Sequence, residues 1–154
     1  MKLELKNIKH TEWASQETLC YEAALYVDGK PVALVSNDGH GGCDREYPHP
    51  KHKGDFRVWV LAMAAVHDHI ASLPVDEKYG MAQQLEYWCA DTVNEYLTAR
   101  DLKKALRKKF LFTLKDRAGL YESKTRPSPT DNDVALLLND APFDDALAIY
   151  RGAQ

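Results

Sequence analysis

Long apolar runs are missing from this sequence of 154 residues. Charged and apolar side chains alternate from Met1 to Lys6, whereas a signal peptide carries a continuous apolar stretch. A membrane-spanning helix needs about 20 predominantly apolar residues in a row, and no segment of the sequence has them. We therefore expect no signal peptide, no membrane span and no membrane among the partners of this protein.

Cysteine is scarce as well. The three cysteines, Cys20, Cys43 and Cys89, are an odd number and are scattered along the chain. This pattern argues against a disulfide framework and favours a reducing compartment. The cytoplasm is therefore the expected location.

The usual catalytic motifs are absent too. The sequence has no nucleophile elbow, no phosphate-binding loop and no paired-carboxylate motif. Cys43 lies close to His40 in sequence and suggests a nucleophile with its base, but the sequence offers no third group that would orient the base. We predict no enzymatic activity, no catalytic residues and no cofactor.

The composition, with 45% hydrophobic and 28% charged residues, is that of an ordinary globular protein. No repeat, low-complexity tract or long linker interrupts it, so residues 1–154 are predicted to form a single domain. The net charge of -3 is small, but six basic residues against one acid lie between Arg100 and Lys109, and five aspartates against one arginine lie between Thr130 and Gln154. These two segments are interpreted either as solvated faces that attract each other weakly or, for the first, as a phosphate-binding patch.

Hydrophobic periodicity predicts an α+β fold with an antiparallel sheet of about five strands and helices packed on one face. Asp28-Gly29 separates two strand-like runs, which indicates a type I′ hairpin turn. A short N-terminal strand and a second hairpin complete the predicted sheet. The predicted strands are 2–8, 19–27, 30–35, 110–114 and 120–123, and the predicted helices are 55–73, 76–98, 99–108, 131–139 and 143–151.

The segment from Ser36 to His52 departs most from these local patterns. Three of its glycines fall within four positions, and ordering them carries a large entropy cost that binding loops commonly bear. A two-residue turn at Asp28-Gly29 would place Thr18 opposite Gly39. We call the resulting cluster the hairpin mouth and predict as its binding residues Ser15, Gln16, Glu17, Thr18, Asn37, Asp38, Gly39, His40, Gly41, Gly42 and Arg45. The alternative is that these polar side chains only cap neighbouring backbone groups.

Two ligand hypotheses concern the same loop. The spacing of His40, Cys43, His49 and His52 is typical of a small zinc site, although prolines stiffen the second pair and a metal-free state is expected. The glycine-rich turn could instead form an anion nest for a nucleotide, with positive charge from His40, Arg45 or Lys51.

Three segments, Ala14–Thr18, Asp28–Lys30 and Asn37–Gly42, resemble small uncharacterised proteins encoded by bacteriophages and prophages. The segment Pro142–Ala148 adds to this resemblance. It implies a non-enzymatic accessory protein that binds and modulates a host protein, as anti-CRISPR and other counter-defence factors do, in the host cytoplasm. A nucleotide- or signal-sequestering protein and a zinc-loop module remain the alternatives. Under the leading hypothesis, alanine at Asn37, Asp38 or His40 alters binding more than folding.

Overall fold

The computed structural model of the protein describes residues 1–75, 82–128 and 133–153. Within these ranges the chain is α+β, as predicted. The strands are β1 (Leu3–His10), β2 (Cys20–Val27), β3 (Lys30–Asp38), β4 (Arg45–Pro48), β5 (Phe110–Leu114), β6 (Tyr121–Ser123) and β7 (Val134–Leu137). The helices are a 3-10 turn at Glu12–Ala14, α1 (Phe56–Ala71), α2 (Leu85–Lys108) and α3 (Phe143–Gly152). None of the described helices has the length and apolarity needed to cross a membrane.

The chain divides into two compact units, Met1–Val93 and Asn94–Gln154, which α2 connects. Unit 1 contains a four-stranded antiparallel sheet in the order β1-β2-β3-β4. Unit 2 contains a three-stranded antiparallel sheet in the order β6-β5-β7. The described strands thus form two sheets where one sheet of about five strands was predicted. That residues 1–154 fold as a single domain stays a prediction.

The hairpin of β2 and β3 has the predicted turn, since Asp28 (φ 48°) and Gly29 (φ 79°) both adopt positive φ. Pairing begins at Val27 with Lys30, but an irregularity between Leu25 and Tyr26 shifts the register by one residue. A β-bulge of this kind leaves one residue unpaired and moves every later pair. Beyond it Tyr21 pairs with Asn37, so the predicted register is wrong by one position at the hairpin mouth.

One face of the unit 1 sheet is buried. Every second residue of the hairpin points to the same side, and Leu25, Ala33 and Val35 on that side are fully buried. Helix α1 packs against β3 and buries Met63, Val66 and Ile70, at spacings of three and four residues. Burial of these apolar side chains between α1 and the sheet stabilises the hairpin of β2 and β3.

Helix α1 begins and ends close to the predicted bounds. The Asp55 carboxylate caps it by accepting a hydrogen bond from the backbone N–H of Val58 at 3.0 Å. Phe56 falls on the same three- and four-residue spacing as the buried residues of α1, but its side chain is 65% exposed. Three other large apolar side chains near the start of α1 are exposed as well: Val58, Val60 and Leu61.

Helix α2 joins what were predicted to be two helices. It runs without a break from Leu85 to Lys108, because this stretch contains neither glycine nor proline to stop it. Residues 76–81 of the predicted helix 76–98 lie outside the described residues.

Unit 2 has its own small core, formed by Leu102, Leu111, Leu138 and Ala146. Residues 134–137 were predicted to belong to a helix, but they form β7, which pairs with β5. Strand pairing in the folded unit overrides the local helix preference of the leucine-rich segment, and residues 129–132 lie outside the described residues. The predicted hairpin of β5 and β6 and the last helix are present.

The Asn139 side chain links three backbone segments of unit 2. Its amide nitrogen donates to the carbonyls of Leu106 at 3.0 Å and Lys109 at 3.1 Å, and its oxygen accepts from the N–H of Leu111 at 2.9 Å. Because carbonyls at the end of a helix lack partners within it, this amide completes the C-terminus of α2 and ties it to β5.

Candidate functional site

The two polar segments of the hairpin mouth meet at one backbone carbonyl. The oxygen of Gly39 accepts hydrogen bonds from the N–H groups of Gln16 at 2.9 Å, Glu17 at 2.9 Å and Thr18 at 3.4 Å. The predicted convergence of these segments is therefore present, although it is made by a turn and not by continued strand pairing.

Glycine is required at position 39 for two reasons. Its φ of 85° lies in the left-handed region. A Cβ atom there would lie 2.0 Å from the carbonyl oxygen of Ala14, far inside van der Waals contact. The close approach of Ala14 also places the 3-10 turn Glu12–Ala14 directly beside the hairpin mouth.

Asn37 is the centre of a buried hydrogen-bond network. Its side-chain oxygen accepts from the Thr18 hydroxyl at 2.6 Å and from the Gly39 N–H at 2.9 Å. Its amide nitrogen donates to the Gly42 carbonyl at 3.1 Å and to Asp44 at 3.0 Å. The amide thus uses its full capacity of two donors and two acceptor positions, and the residue is only 8% exposed. This burial argues against the expectation that alanine at position 37 alters binding more than folding.

The network of Asn37 continues into a group of buried and half-buried side chains, which we call the inner side of the mouth: Asp44, Tyr21 and Cys89. The Tyr21 hydroxyl donates to the Asp44 carboxylate, and Cys89 on α2 is fully buried. Burial raises the pKa of the Asp44 carboxyl, an effect that the hydrogen bonds from Tyr21 and Asn37 oppose. Burial also raises the pKa values of Tyr21 and Cys89, so both stay neutral at physiological pH. None of the three was among the predicted site residues.

The surroundings of Cys43 disfavour a nucleophilic thiolate. The neighbouring carboxylate of Glu86 raises the pKa of Cys43 and so disfavours its thiolate, whereas a reactive cysteine needs a lowered pKa. Cys43 and Glu86 line a cleft of about 380 Å³ together with Asp44, Glu46 and His67. His67 Nε2 lies 3.2 Å from the Glu46 carboxylate. Three carboxylates therefore line this cleft: that of Glu46 on β4, that of Asp44 immediately before β4, and that of Glu86 on α2.

The exposed part of the hairpin mouth is formed by different side chains. The Asp38 carboxylate forms an ion pair with Arg45, and its other oxygen accepts from the His40 N–H at 3.3 Å. The His40 N–H bond and the Arg45 guanidinium lower the pKa of Asp38. Trp13, in the adjacent 3-10 turn, is 86% exposed. We define the rim of the mouth as Trp13, Gln16, Glu17, Asp38, His40 and Arg45.

The predicted site residues therefore separate into two groups. Ser15, Thr18, Asn37, Gly39, Gly41 and Gly42 hold the backbone together, whereas Gln16, Glu17, Asp38, His40 and Arg45 expose side chains. Ser15 illustrates the first group, since its hydroxyl donates to the Thr11 carbonyl and accepts from the Cys20 N–H, both at 2.9 Å.

Three successive N–H groups of the glycine-rich turn already have acceptors within the chain. The N–H of Gly39 donates to Asn37, that of His40 to Asp38 and that of Gly41 to Thr18 at 3.4 Å. An anion nest needs such successive N–H groups to point at the ligand. Because side-chain oxygens of the chain itself occupy them, the geometry argues against a nucleotide site at this turn.

The four candidate zinc ligands have separate surroundings. His40 lies beside Asp38, and Cys43 lies beside Glu86. His49 accepts from the Lys51 N–H at 3.0 Å, and His52 has its ring Nε2 buried without a hydrogen-bond partner. Among residues 1–75, 82–128 and 133–153, no three His, Cys, Asp or Glu side chains are grouped to hold a metal ion.

Comparisons with protein-family models, with curated proteins and with solved structures give no match to this chain. The resemblance to phage-encoded accessory proteins stays a prediction.

Replacing Asn37 with alanine should destabilise the protein by about 2–4 kcal/mol, because several buried donors and acceptors would lose their partner at once. Replacing His40, a solvent-facing neighbour in the same loop, should change stability by no more than about 0.5 kcal/mol. Urea denaturation followed by circular dichroism measures both. Equal stabilities of the two variants would refute the network described for Asn37.

Alanine at Gly39 and at Gly42 separates backbone strain from steric contact. Both glycines have similar positive φ, 85° and 94°, and a left-handed alanine costs about 1–2 kcal/mol at either position. Only Gly39 faces a neighbour that a Cβ would strike, since nothing lies within 4 Å of one at Gly42. We expect Gly39→Ala to be the less stable variant by about 2 kcal/mol or more, measured from thermal unfolding curves. A smaller loss at Gly39 than at Gly42 would show that Ala14 does not pack against this glycine.

Proposed function

We propose that this protein is a non-enzymatic binding protein that docks onto another protein through the rim of the hairpin mouth. The observation that carries the proposal is the exposure of Trp13, whose side chain is 86% accessible. Tryptophan is on average a highly buried residue, and it is among the residues most enriched where interfaces concentrate their binding energy.

The backbone around Trp13 supports this role because it is already ordered. The N–H of Ala14 donates to the Thr11 carbonyl at 3.3 Å, and that of Ser15 donates to Glu12 at 3.1 Å. Ala14 itself is buried. An ordered backbone reduces the entropy lost when a partner binds, so the segment that carries the indole does not have to be fixed during association.

The polar side chains of the rim suit the periphery of an interface. Protein interfaces commonly combine an apolar centre with a polar, solvent-accessible edge. Gln16 and Glu17 of the rim are exposed, as is Glu12 beside the indole in sequence. The Asp38–Arg45 pair adds charges of both signs. These charged groups would contribute to partner selection more than to affinity.

Two features of the mouth disfavour a nucleophilic role for its side chains. Cys43 has a raised pKa, and the Tyr21 hydroxyl is bonded to Asp44. The resemblance to phage accessory proteins suggests that the partner is a bacterial host protein. A counter-defence role would be one form of this activity.

The test is capture of one defined partner by immobilised protein, followed by measurement of its dissociation constant. Trp13→Ala should weaken binding by about 2 kcal/mol or more, or roughly 30-fold, and should leave stability within about 0.5 kcal/mol. Leu61→Ala is the matched control, because Leu61 is also a large apolar side chain with high exposure, 71%.

Three results are informative. Loss of the same partner with Trp13→Ala but not with Leu61→Ala would support docking at the rim. Loss with Leu61→Ala alone would place the interface on α1 and contradict the proposal. Binding that neither variant weakens would contradict it as well.

A further inference from the structure

The last turns of α2 carry a continuous basic face within unit 2. Arg100, Lys103, Lys104, Arg107 and Lys108 recur at spacings of three and four residues, which places them on one side of a helix. The opposite side of these turns carries Leu102, which is fully buried in the unit 2 core. We call the five cations together with Tyr96, which precedes Arg100 by four residues, the basic stripe.

The stripe lies along a surface depression of about 470 Å³ that α2 side chains line. Tyr96 is 44% exposed at one end of it. With a rise of about 1.5 Å per residue, the five cations extend over about 12 Å of helix. The arginines and lysines therefore follow one accessible aromatic ring along the same helix.

The positive charge of the stripe is largely unneutralised. In the part of the chain that the structure describes, no carboxylate lies within 4.0 Å of the charged groups of Lys104, Arg107 or Lys108, and Arg100 pairs only with its helix neighbour Asp101. Three cations elsewhere in the described part of unit 2 do form ion pairs: Lys109 with Glu122, Arg126 with Asp140 and Arg151 with Glu95. The described aspartates of the acidic C-terminal segment therefore do not form ion pairs with the stripe, although mutual attraction of the two segments was one interpretation of the sequence.

We propose that the basic stripe binds the phosphate backbone of a nucleic acid. Arginine guanidinium groups match phosphate oxygens in a bidentate geometry, and lysine adds point charges. Neutralising phosphates releases counterions from the nucleic acid, which supplies sequence-independent affinity. Tyr96 gives an unpaired base a ring on which to stack, a feature that an acidic peptide would not require. The proposal concerns unit 2 and does not depend on docking at the rim of the hairpin mouth.

The test uses the full chain and fluorescence anisotropy with a labelled 30-nucleotide single strand, its duplex and a labelled polyglutamate peptide. For the unmodified protein we expect micromolar binding to nucleic acid at low salt, with weaker binding to polyglutamate. The double variant Lys104→Glu/Arg107→Glu should bind nucleic acid at least tenfold more weakly. Its affinity should also depend less on salt. The slope of log K against log salt concentration should be smaller in magnitude by about 2, because two phosphate contacts are lost.

The matched control is Lys115→Glu/Arg117→Glu, which changes the net charge of the same unit equally at exposed positions after β5. This control should weaken binding by less than about threefold. The neutral variant Lys104→Gln/Arg107→Gln should fall between the unmodified protein and the reversed variant. Unchanged circular dichroism spectra would establish that all variants are folded.

Tyr96→Ala tests the stacking contribution separately. It should weaken binding of the single strand by about fivefold or more, because stacking of one base contributes about 1–3 kcal/mol, and should affect the duplex much less. The proposal is overturned if the unmodified protein binds neither nucleic acid, if polyglutamate binds more tightly, or if the stripe and control variants lose affinity equally.

Discussion

The three hydrogen bonds to the carbonyl of Gly39 are the interaction on which the architecture of the hairpin mouth depends. They join the turn after the 3-10 helix to the end of β3, and they require a glycine, because Ala14 leaves no space for a side chain. With the turn fixed in this way, Thr18 reaches Asn37, and Asn37 in turn holds Gly42 and Asp44. The polar groups of the mouth thus satisfy one another, as buried polar groups must.

This arrangement explains why the mouth has an inner and an outer part with different chemistry. The inner part uses its donors and acceptors to hold the backbone, so the N–H groups of Gly39 and Gly41 are not free for an anion. The outer part exposes an indole and charged side chains on a backbone that is already ordered. A pre-ordered surface of this composition favours recognition of a protein surface. The basic stripe of unit 2 is chemically distinct, because most of its charges lack described partners.

The sequence contained much of this structure, but not the roles of individual residues. Asp28-Gly29 predicted the hairpin, and the two polar segments were predicted to converge. The bulge near Tyr26 could not be anticipated, since it arises from pairing and not from composition. The structural role of Asn37 depends on its burial, which its polar neighbours in sequence do not indicate. The proximity of Asp44 to Glu86 and Cys89 could not be predicted either, because more than 40 residues separate them in sequence. Likewise, β7 forms because it pairs with the edge of β5, and this pairing overrides the local preference of the segment for helix.

The hairpin mouth is a fixed scaffold and not an open loop. Amide hydrogen exchange measured by NMR tests this most directly, because the N–H groups of Gln16 and Glu17 have no partner other than the Gly39 carbonyl among the hydrogen bonds described. We expect both amides to exchange at least about 100-fold more slowly than in an unstructured peptide, since protection reports the free energy of local opening. Exchange of both at the unstructured rate, while the amides of β2 remain protected, would contradict it.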